Sequence, residues 1–358
     1  MRVISLLLTK MVLVRFILIL FGITAFILSL ELIAYGDEIL AKNNNQLSSI
    51  AEYALLRVPG ISSKFIVICL LIATLLMLTE ISRNSELIAI WNSGVSQFRL
   101  LVILLPTAIF IGAGHYILSD YGVTNAAPKL HEWAVGDYQS KALNVSEQNP
   151  LWMKSDRDII RAVKANSEAT ILENVIIFKR DEDGILKEQI FAGKAELINE
   201  RWFLSEVTIY YREKQIPVRL DQLIYSGPMR AASAGARSGD PEEMTLSTLG
   251  FFIKNKGFGL RPTYVYETWF HKRLATGFTA LLALLIAVPL AHRYRRGGGL
   301  GVMFAFGIAL GFGFFILEGI ALTMGEIGVI PPWIAAWAPL IITAAASSTT
   351  AIRQESLT

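Results

Sequence analysis

The chemistry of this sequence is concentrated where charged side chains interrupt long apolar runs. Glu318 stands inside one such run. A carboxylate held in hydrocarbon without a partner is costly, so it marks either an aqueous or protein-lined cavity or a neutral, packed acid. His271, Lys272 and Arg273 stand together just ahead of another run. Positive charge there suits anionic groups at that edge of a membrane, and pairing with Glu267 or general headgroup contact is the plainer alternative. Glu31, near the end of the first run, is placed to reach the interface. Catalytic patterns are missing: there is no G-x-x-x-x-G-K-[ST], H-E-x-x-H or G-x-S-x-G. His115, His131, His271 and His292 are scattered without zinc-type spacing, so no metal site is expected. The glycines Gly297 to Gly299 with Gly301 do not follow a strand and read as a tight turn rather than a nucleotide cradle. The single cysteine, Cys69, excludes an intrachain disulfide, and a net charge of only +3 gives no reason to expect nucleic acid.

The elements that must position these groups are membrane spans. The chain has 358 residues, 53% of them hydrophobic and 18% charged, with mean hydropathy +0.47. A hydrocarbon core of about 30 Å needs roughly 20 apolar helical residues. Six runs come near that: Val12 to Ala34, Ile61 to Leu78, Leu100 to Leu118, Leu274 to Leu290, Val302 to Met324 and Ile330 to Ala346. The first is longer than a signal-peptide core, and Ala34-Tyr35-Gly36 is a weak cleavage match, so it reads as a span. With the N-terminus inside, the inner short segments collect Arg2, Lys10, Arg15, Arg83, Arg99, Arg293, Arg295, Arg296 and Arg353, against Lys42, Arg57 and Lys64 outside. That bias predicts cytoplasmic termini and an external segment from about Ser119 to His271, whose length exempts it from the charge rule.

After Pro150 the pattern changes to period two: Val175 and Ile177, Ile190 and Ala192, Ala195 and Leu197, Trp202 and Leu204, then Val207, Ile209 and Tyr211. These are half-buried strands, with turns expected at Asp181 to Gly184 and at Asn199-Glu200. A meander with one apolar face must fold against a second sheet or close on itself, unless something apolar occupies the face. Ala231 to Glu243 reads as a loop or insertion. In the fifth run Gly307 and Gly311 form a G-x-x-x-G, either a packing seam or the face of a moving helix. On the inner side, Ser82 to Ser96 predicts a short amphipathic helix. Leu87, Ile88, Trp91 and Val95 share a face, Ser82 or Asn84 can cap, Glu86 suits the first turn and Gly94 can end it. It is either an inert interfacial connector or a knob for a partner.

These features together resemble the lipopolysaccharide export permease family LptF/LptG (YjgP/YjgQ) over nearly the whole chain. The resemblance rests on RNSELIAIWNSGVS at Arg83 to Ser96, YVYETWFHKR at Tyr264 to Arg273, and the long stretch Gly307 to Leu340. NPLWMK at Asn149 to Lys154 and Ile330-Pro331-Pro332 look more like G-type than F-type members. It implies an α-helical membrane protein with six transmembrane helices and an inserted periplasmic β-jellyroll-like domain. The divisions would be 1–125 with the coupling helix at about 82–96, 126–262 for the β-domain, and 263–358. It further implies a non-catalytic permease subunit of an ABC-type exporter in the bacterial inner membrane. That subunit would bind no cofactor of its own, with ATP and Mg used by an LptB-like ATPase dimer. An LptF-like sister permease, an LptC-like single-span protein and an LptA-like bridge complete the implied set. By resemblance Glu86, Leu87, Ile90, Trp91 and Gly94 face the ATPase. Phe314, Phe315 and Glu318 line the lipid entry, and Lys272 and Arg273 meet lipid A phosphates. Some G-type members carry a lysine where this chain has Ala34, and Lys42 lies further on. An ion-coupled amphiphile transporter working through Glu318, or a non-transporting envelope scaffold, are the alternatives.

Overall fold

The structure is a computed structural model that describes residues 2–42, 47–83, 96–138, 150–155, 157–165, 170–198, 201–212, 216–226, 240–254, 261–293 and 300–355. The chain divides into two compact units. One comprises Met1–Gly36, Gln46–Gly122 and His271–Thr358, the other Asp37–Asn45 and Val123–Phe270.

The first unit is built from helices α1 (Arg2–Lys42), α2 (Leu47–Arg83) and α3 (Gln97–Ile117), the last followed by a π-helical turn over Leu118–Val123. The chain later returns through α6 (Thr263–Thr276), whose residues up to Phe270 belong to the second unit, then α7 (Thr279–Arg293), α8 (Leu300–Glu326) and α9 (Pro332–Glu355). Ser96, extended at the N-cap of α3, accepts from the Arg99 amide through its hydroxyl. Among the described residues, five helices are long and apolar enough to cross a membrane. There are six if α6 and α7, bent by 53° at Gly277-Phe278, count as one broken span. The apolar run expected from Leu274 therefore straddles a break, and the helix before it begins earlier, at Thr263. At 41 residues α1 is about 60 Å long and exceeds a hydrocarbon core roughly twofold.

Helix α2 is the buried centre: Leu70, Leu71, Leu75 and Leu78 pack with Leu104 and Ala108 of α3 and Ala283 and Ala287 of α7. The G-x-x-x-G of α8 faces this centre, since a methyl at Gly307 would meet Leu75 and one at Gly311 would meet Leu71. Outward faces stay apolar, as at Ile33 and Phe21 of α1 and Phe312 and Ile316 of α8. That is the arrangement a lipid environment tolerates and water does not.

The second unit carries an antiparallel sheet: β1 (Leu151–Ser155), β2 (Asp158–Ala162), β3 (Lys164–Ala165), β4 (Ile171–Arg180), β5 (Leu186–Ile198), β6 (Arg201–Tyr211) and β7 (Val218–Tyr225). Neighbours follow chain order, β1-β2-β4-β5-β6-β7, with β3 on β4. The expected turn at Asp181 to Gly184 is present. The Asp181 carboxylate accepts from the amides of Asp183 (3.1 Å) and Ile185 (2.8 Å), and Gly184 takes φ +79°. The turn expected at Asn199-Glu200 lies outside the described residues. So does most of the segment from Ala231 to Glu243, apart from its end, where Asp240 caps a short 3₁₀ helix, Pro241–Glu243.

Pairing in the sheet is interrupted along a line. Pairing of β4 with β5 passes from Glu173↔Lys194 to Val175↔Ala192, and that of β5 with β6 from Phe191↔Thr208 to Lys194↔Ser205. The interruptions fall side by side, at Asn174, Gly193 and Glu206. Asn174 (φ +52°) and Glu206 (φ +57°) are left-handed there, and the Glu206 side chain lies against Gly193. The register is the same on both sides of the gap, yet the inward alternation slips by one residue in each strand. Leu172 and Val175, Ala192 and Ala195, Leu204 and Val207 are all buried in one core. Met244, Leu249 and Phe252 from the segment through α5 (Leu246–Lys254), and Tyr266 of α6, join that core. Helix α4 (Thr124–Trp133) is tied to the 3₁₀ turn by a buried contact of 2.6 Å between His131 Nε2 and Glu243 Oε2.

Candidate functional site

Four of the ionisable groups singled out in the sequence, His115, Lys272, Arg273 and Glu318, lie on the helices around the break between α6 and α7. At the break α3 approaches so closely through Gly112 that a Cβ there would collide with the Gly277 carbonyl oxygen. Two threonines rebuild hydrogen bonding where the helix is interrupted. The Thr276 hydroxyl donates to the Lys272 carbonyl at 2.9 Å, and the Thr279 hydroxyl to the Thr276 carbonyl at 2.7 Å. Thr279 Oγ1 also lies 3.2 Å from Nδ1 of the buried His115, within hydrogen-bond distance.

One turn before the break, adjacent cations take different partners. Arg273, 5% exposed, donates from Nη1 to the Ser119 carbonyl (2.5 Å) and hydroxyl (2.8 Å), and its Nε lies 3.7 Å from Asp120 Oδ1. Ser119 and Asp120 belong to the π-helical turn, whose extra residue re-aims side chains relative to an α-helix. Lys272 Nζ instead donates to Glu318 Oε1 of α8, an ion pair whose side chains remain 18% and 15% exposed. The carboxylate that meets Lys272 is thus Glu318, 46 residues away, rather than the Glu267 of its own helix. Phe314, one turn earlier on α8, is 3% exposed in the bundle core, and Phe315 packs beside it with ring centroids 6.1 Å apart.

Helix α1 is held to α2 by charge near both ends. Glu31 accepts from Arg57 Nε (2.5 Å) and Nη2 (2.9 Å) and from the Tyr53 hydroxyl (2.8 Å). At the other end Arg15 pairs with Glu80. Bidentate contact of this kind fixes orientation as well as distance. Lys42 stands exposed in the last turn of α1 and belongs to the second unit, and Ala34 is exposed. Glu86, Leu87, Ile90, Trp91 and Gly94 lie outside the described residues. Sequence reasoning missed Asp120, Ser119, Tyr53 and Thr279. Asp120 carried a signal in being an acid just past the apolar run Leu100 to Leu118.

Comparison with known proteins supplies the rest. The family model for the lipopolysaccharide export system permease LptF/LptG matches residues 6–353. The lipopolysaccharide export system permease protein LptG of Haemophilus influenzae is 21% identical over 283 residues, 77% of this chain and 76% of that protein. Its namesake from Escherichia coli K12 is 23% identical over 299 residues, 80% of this chain and 81% of that protein. Several apolar helices of spanning length, a β-sheet unit inserted between them and a family match over nearly all residues lead to one conclusion: the chain is a multi-pass membrane protein belonging to the LptF/LptG family of lipopolysaccharide export permeases.

Proposed function

We propose that this chain is the nucleotide-free permease subunit of an ABC-type exporter that lifts lipopolysaccharide from the outer leaflet of the inner membrane and passes it to a periplasmic bridge. The observation that carries the reading is the combination, within one family-matched chain, of a membrane bundle and an inserted sheet with an apolar core. Lipopolysaccharide bears several acyl chains. At about 0.8 kcal/mol per buried CH₂, moving them into water costs tens of kcal/mol unless another apolar surface receives them. A folded sheet of this kind is a suitable receiver. The N- and C-termini lie in the cytoplasm and the β-domain in the periplasm, as the Lys/Arg bias predicts.

An LptB-like ATPase dimer uses ATP and Mg, and this chain binds no cofactor. Glu86, Leu87, Ile90, Trp91 and Gly94 form the lever through which the ATPase acts. An LptF-like sister permease completes the cavity, and LptC-like and LptA-like proteins receive the lipid. Lys272, with Lys42, supplies positive charge toward lipid A phosphates, Arg273 holds the Lys272 helix through Ser119 and Asp120, and Phe314, Phe315 and Glu318 lie on the lipid's path. Transport follows from differential affinity of the cavity for lipid in its two states. Glu318 is paired with Lys272 rather than standing alone in the span as the ion-coupled alternative requires.

The test is co-expression with the candidate partners, purification, and reconstitution with lipopolysaccharide. The expected result is a complex of one sister permease and one ATPase dimer that releases lipid to a periplasmic acceptor only with ATP. Reversing the charge at Glu86 should abolish ATPase co-purification. Retention of both the ATPase and lipid release in that variant would overturn the coupling role, and release driven by a pH gradient without ATPase would overturn the exporter reading.

A further inference from the structure

We propose that Lys272 and Glu318 form an exchangeable latch, in which the Glu318 carboxylate holds the ammonium until a lipid-borne phosphate displaces it, while Arg273 is a positioning residue that fixes α6. The proposal rests on the export reading above and adds how that site is regulated.

The two cations differ in everything but sequence position. Arg273 is 5% exposed and its guanidinium is committed to Ser119 and Asp120 of the π-helical turn, so an incoming anion would have to break several charge-assisted contacts to reach it. Lys272 is 18% exposed and its contact is with a single carboxylate oxygen on another helix. An ammonium is a compact, rotatable donor on a flexible stem, suited to changing partners, whereas a guanidinium locked into a planar set is not. The partners differ in setting too. Asp120 belongs to the turn that continues α3, the helix whose Gly112 lies against the Gly277 carbonyl at the helix break. Glu318 projects from α8, whose glycine seam lets it pack on the side chains of α2. Releasing Lys272 from Glu318 uncouples α6 from α8 without disturbing the Arg273 anchor. The anion that displaces Glu318 also leaves a carboxylate able to reclaim Lys272, which favours onward release of the lipid.

The test uses the intact complex with its sister permease and ATPase in lipid nanodiscs, titrated with lipopolysaccharide, and measures both half-saturation and ATP-driven release. Removing the ammonium with Lys272→Gln should weaken binding about tenfold, the worth of one charge-assisted hydrogen bond. Removing its competitor with Glu318→Gln should shift binding the opposite way, tighter by a similar factor, while release slows. With lipopolysaccharide stripped of its lipid A phosphates, the Glu318→Gln gain should vanish. Persistence of that gain, or two substitutions that move binding in the same direction as a purely structural pair would, overturns the latch. For the anchor, Arg273→Gln with Asp120→Asn removes both charges together and leaves neither orphaned. It should leave half-saturation within about twofold and lower the release rate about tenfold, whereas weakening comparable to Lys272→Gln would make Arg273 a direct contact and overturn the division. Failure of the unsubstituted complex to hold or release lipopolysaccharide would instead sink the export reading itself.

Discussion

At the scale of single residues, close approach of backbones decides more than residue type. Gly112 is the case where a methyl group meets something that cannot yield, the Gly277 carbonyl oxygen. Gly313 on α8 has nothing within 4 Å of the same added atom, and Gly307 would press only on the flexible end of Leu75. Gly112→Ala should therefore destabilise the bundle by about 1–3 kcal/mol, the usual cost of overpacking. Gly313→Ala should be neutral or slightly stabilising through helix propensity. Thermal unfolding of the purified protein in detergent checks the order, and equal midpoints for the two variants would show that the crossing at Gly277 is not a tight one. Lys272 and Glu318 were each conspicuous in the sequence, one as part of a cationic cluster and the other as an acid in an apolar run. Their pairing was not visible, because it depends on α6 and α8 lying side by side.

At the scale of elements, a simple meander keeps one buried core across an interruption shared by three strands. The slip in alternation is present in each strand, as buried residues three apart: Leu172 and Val175, Ala192 and Ala195, Leu204 and Val207. What joins the slips is that they share one line, which only strand register decides. Asn174 at φ +52° is tolerable because asparagine enters the left-handed region, and a β-branched residue there is strained. Asn174→Val should cost the β-domain about 1–2 kcal/mol, whereas Asn174→Gly should stay within about 1 kcal/mol of the parent. Limited proteolysis of the β-domain against temperature distinguishes them, and indifference to valine would refute the strain. The break between α6 and α7 illustrates the same limit. Thr276, Gly277 and Thr279 were available to read, yet the apolar run passes through them without interruption.

At the scale of the molecule, the native thiol background is convenient. Cys69, the single cysteine, is fully buried. Ile216, 79% exposed just ahead of β7, reports on the β-domain, and exposed Ser96, the N-cap of α3, on the side proposed to meet the ATPase. In intact spheroplasts a membrane-impermeant maleimide should label Ile216→Cys, and should label Ser96→Cys only after permeabilisation. Labelling of Ser96→Cys from outside would invert the orientation and remove the lever from the ATPase.

The sequence by itself determined that the chain lives in a membrane, that apolar helices flank a β-unit, and to which family it belongs, because hydropathy, period and local motifs are properties of neighbouring residues. Tertiary structure alone decided that Arg273 is anchored on a π-helical turn while Lys272 faces Glu318, that Arg57 and Tyr53 converge on Glu31, and that three alternation slips align on one line. Each of these joins residues far apart in the chain, and the energy of such contacts depends on distance and burial, which no local pattern encodes.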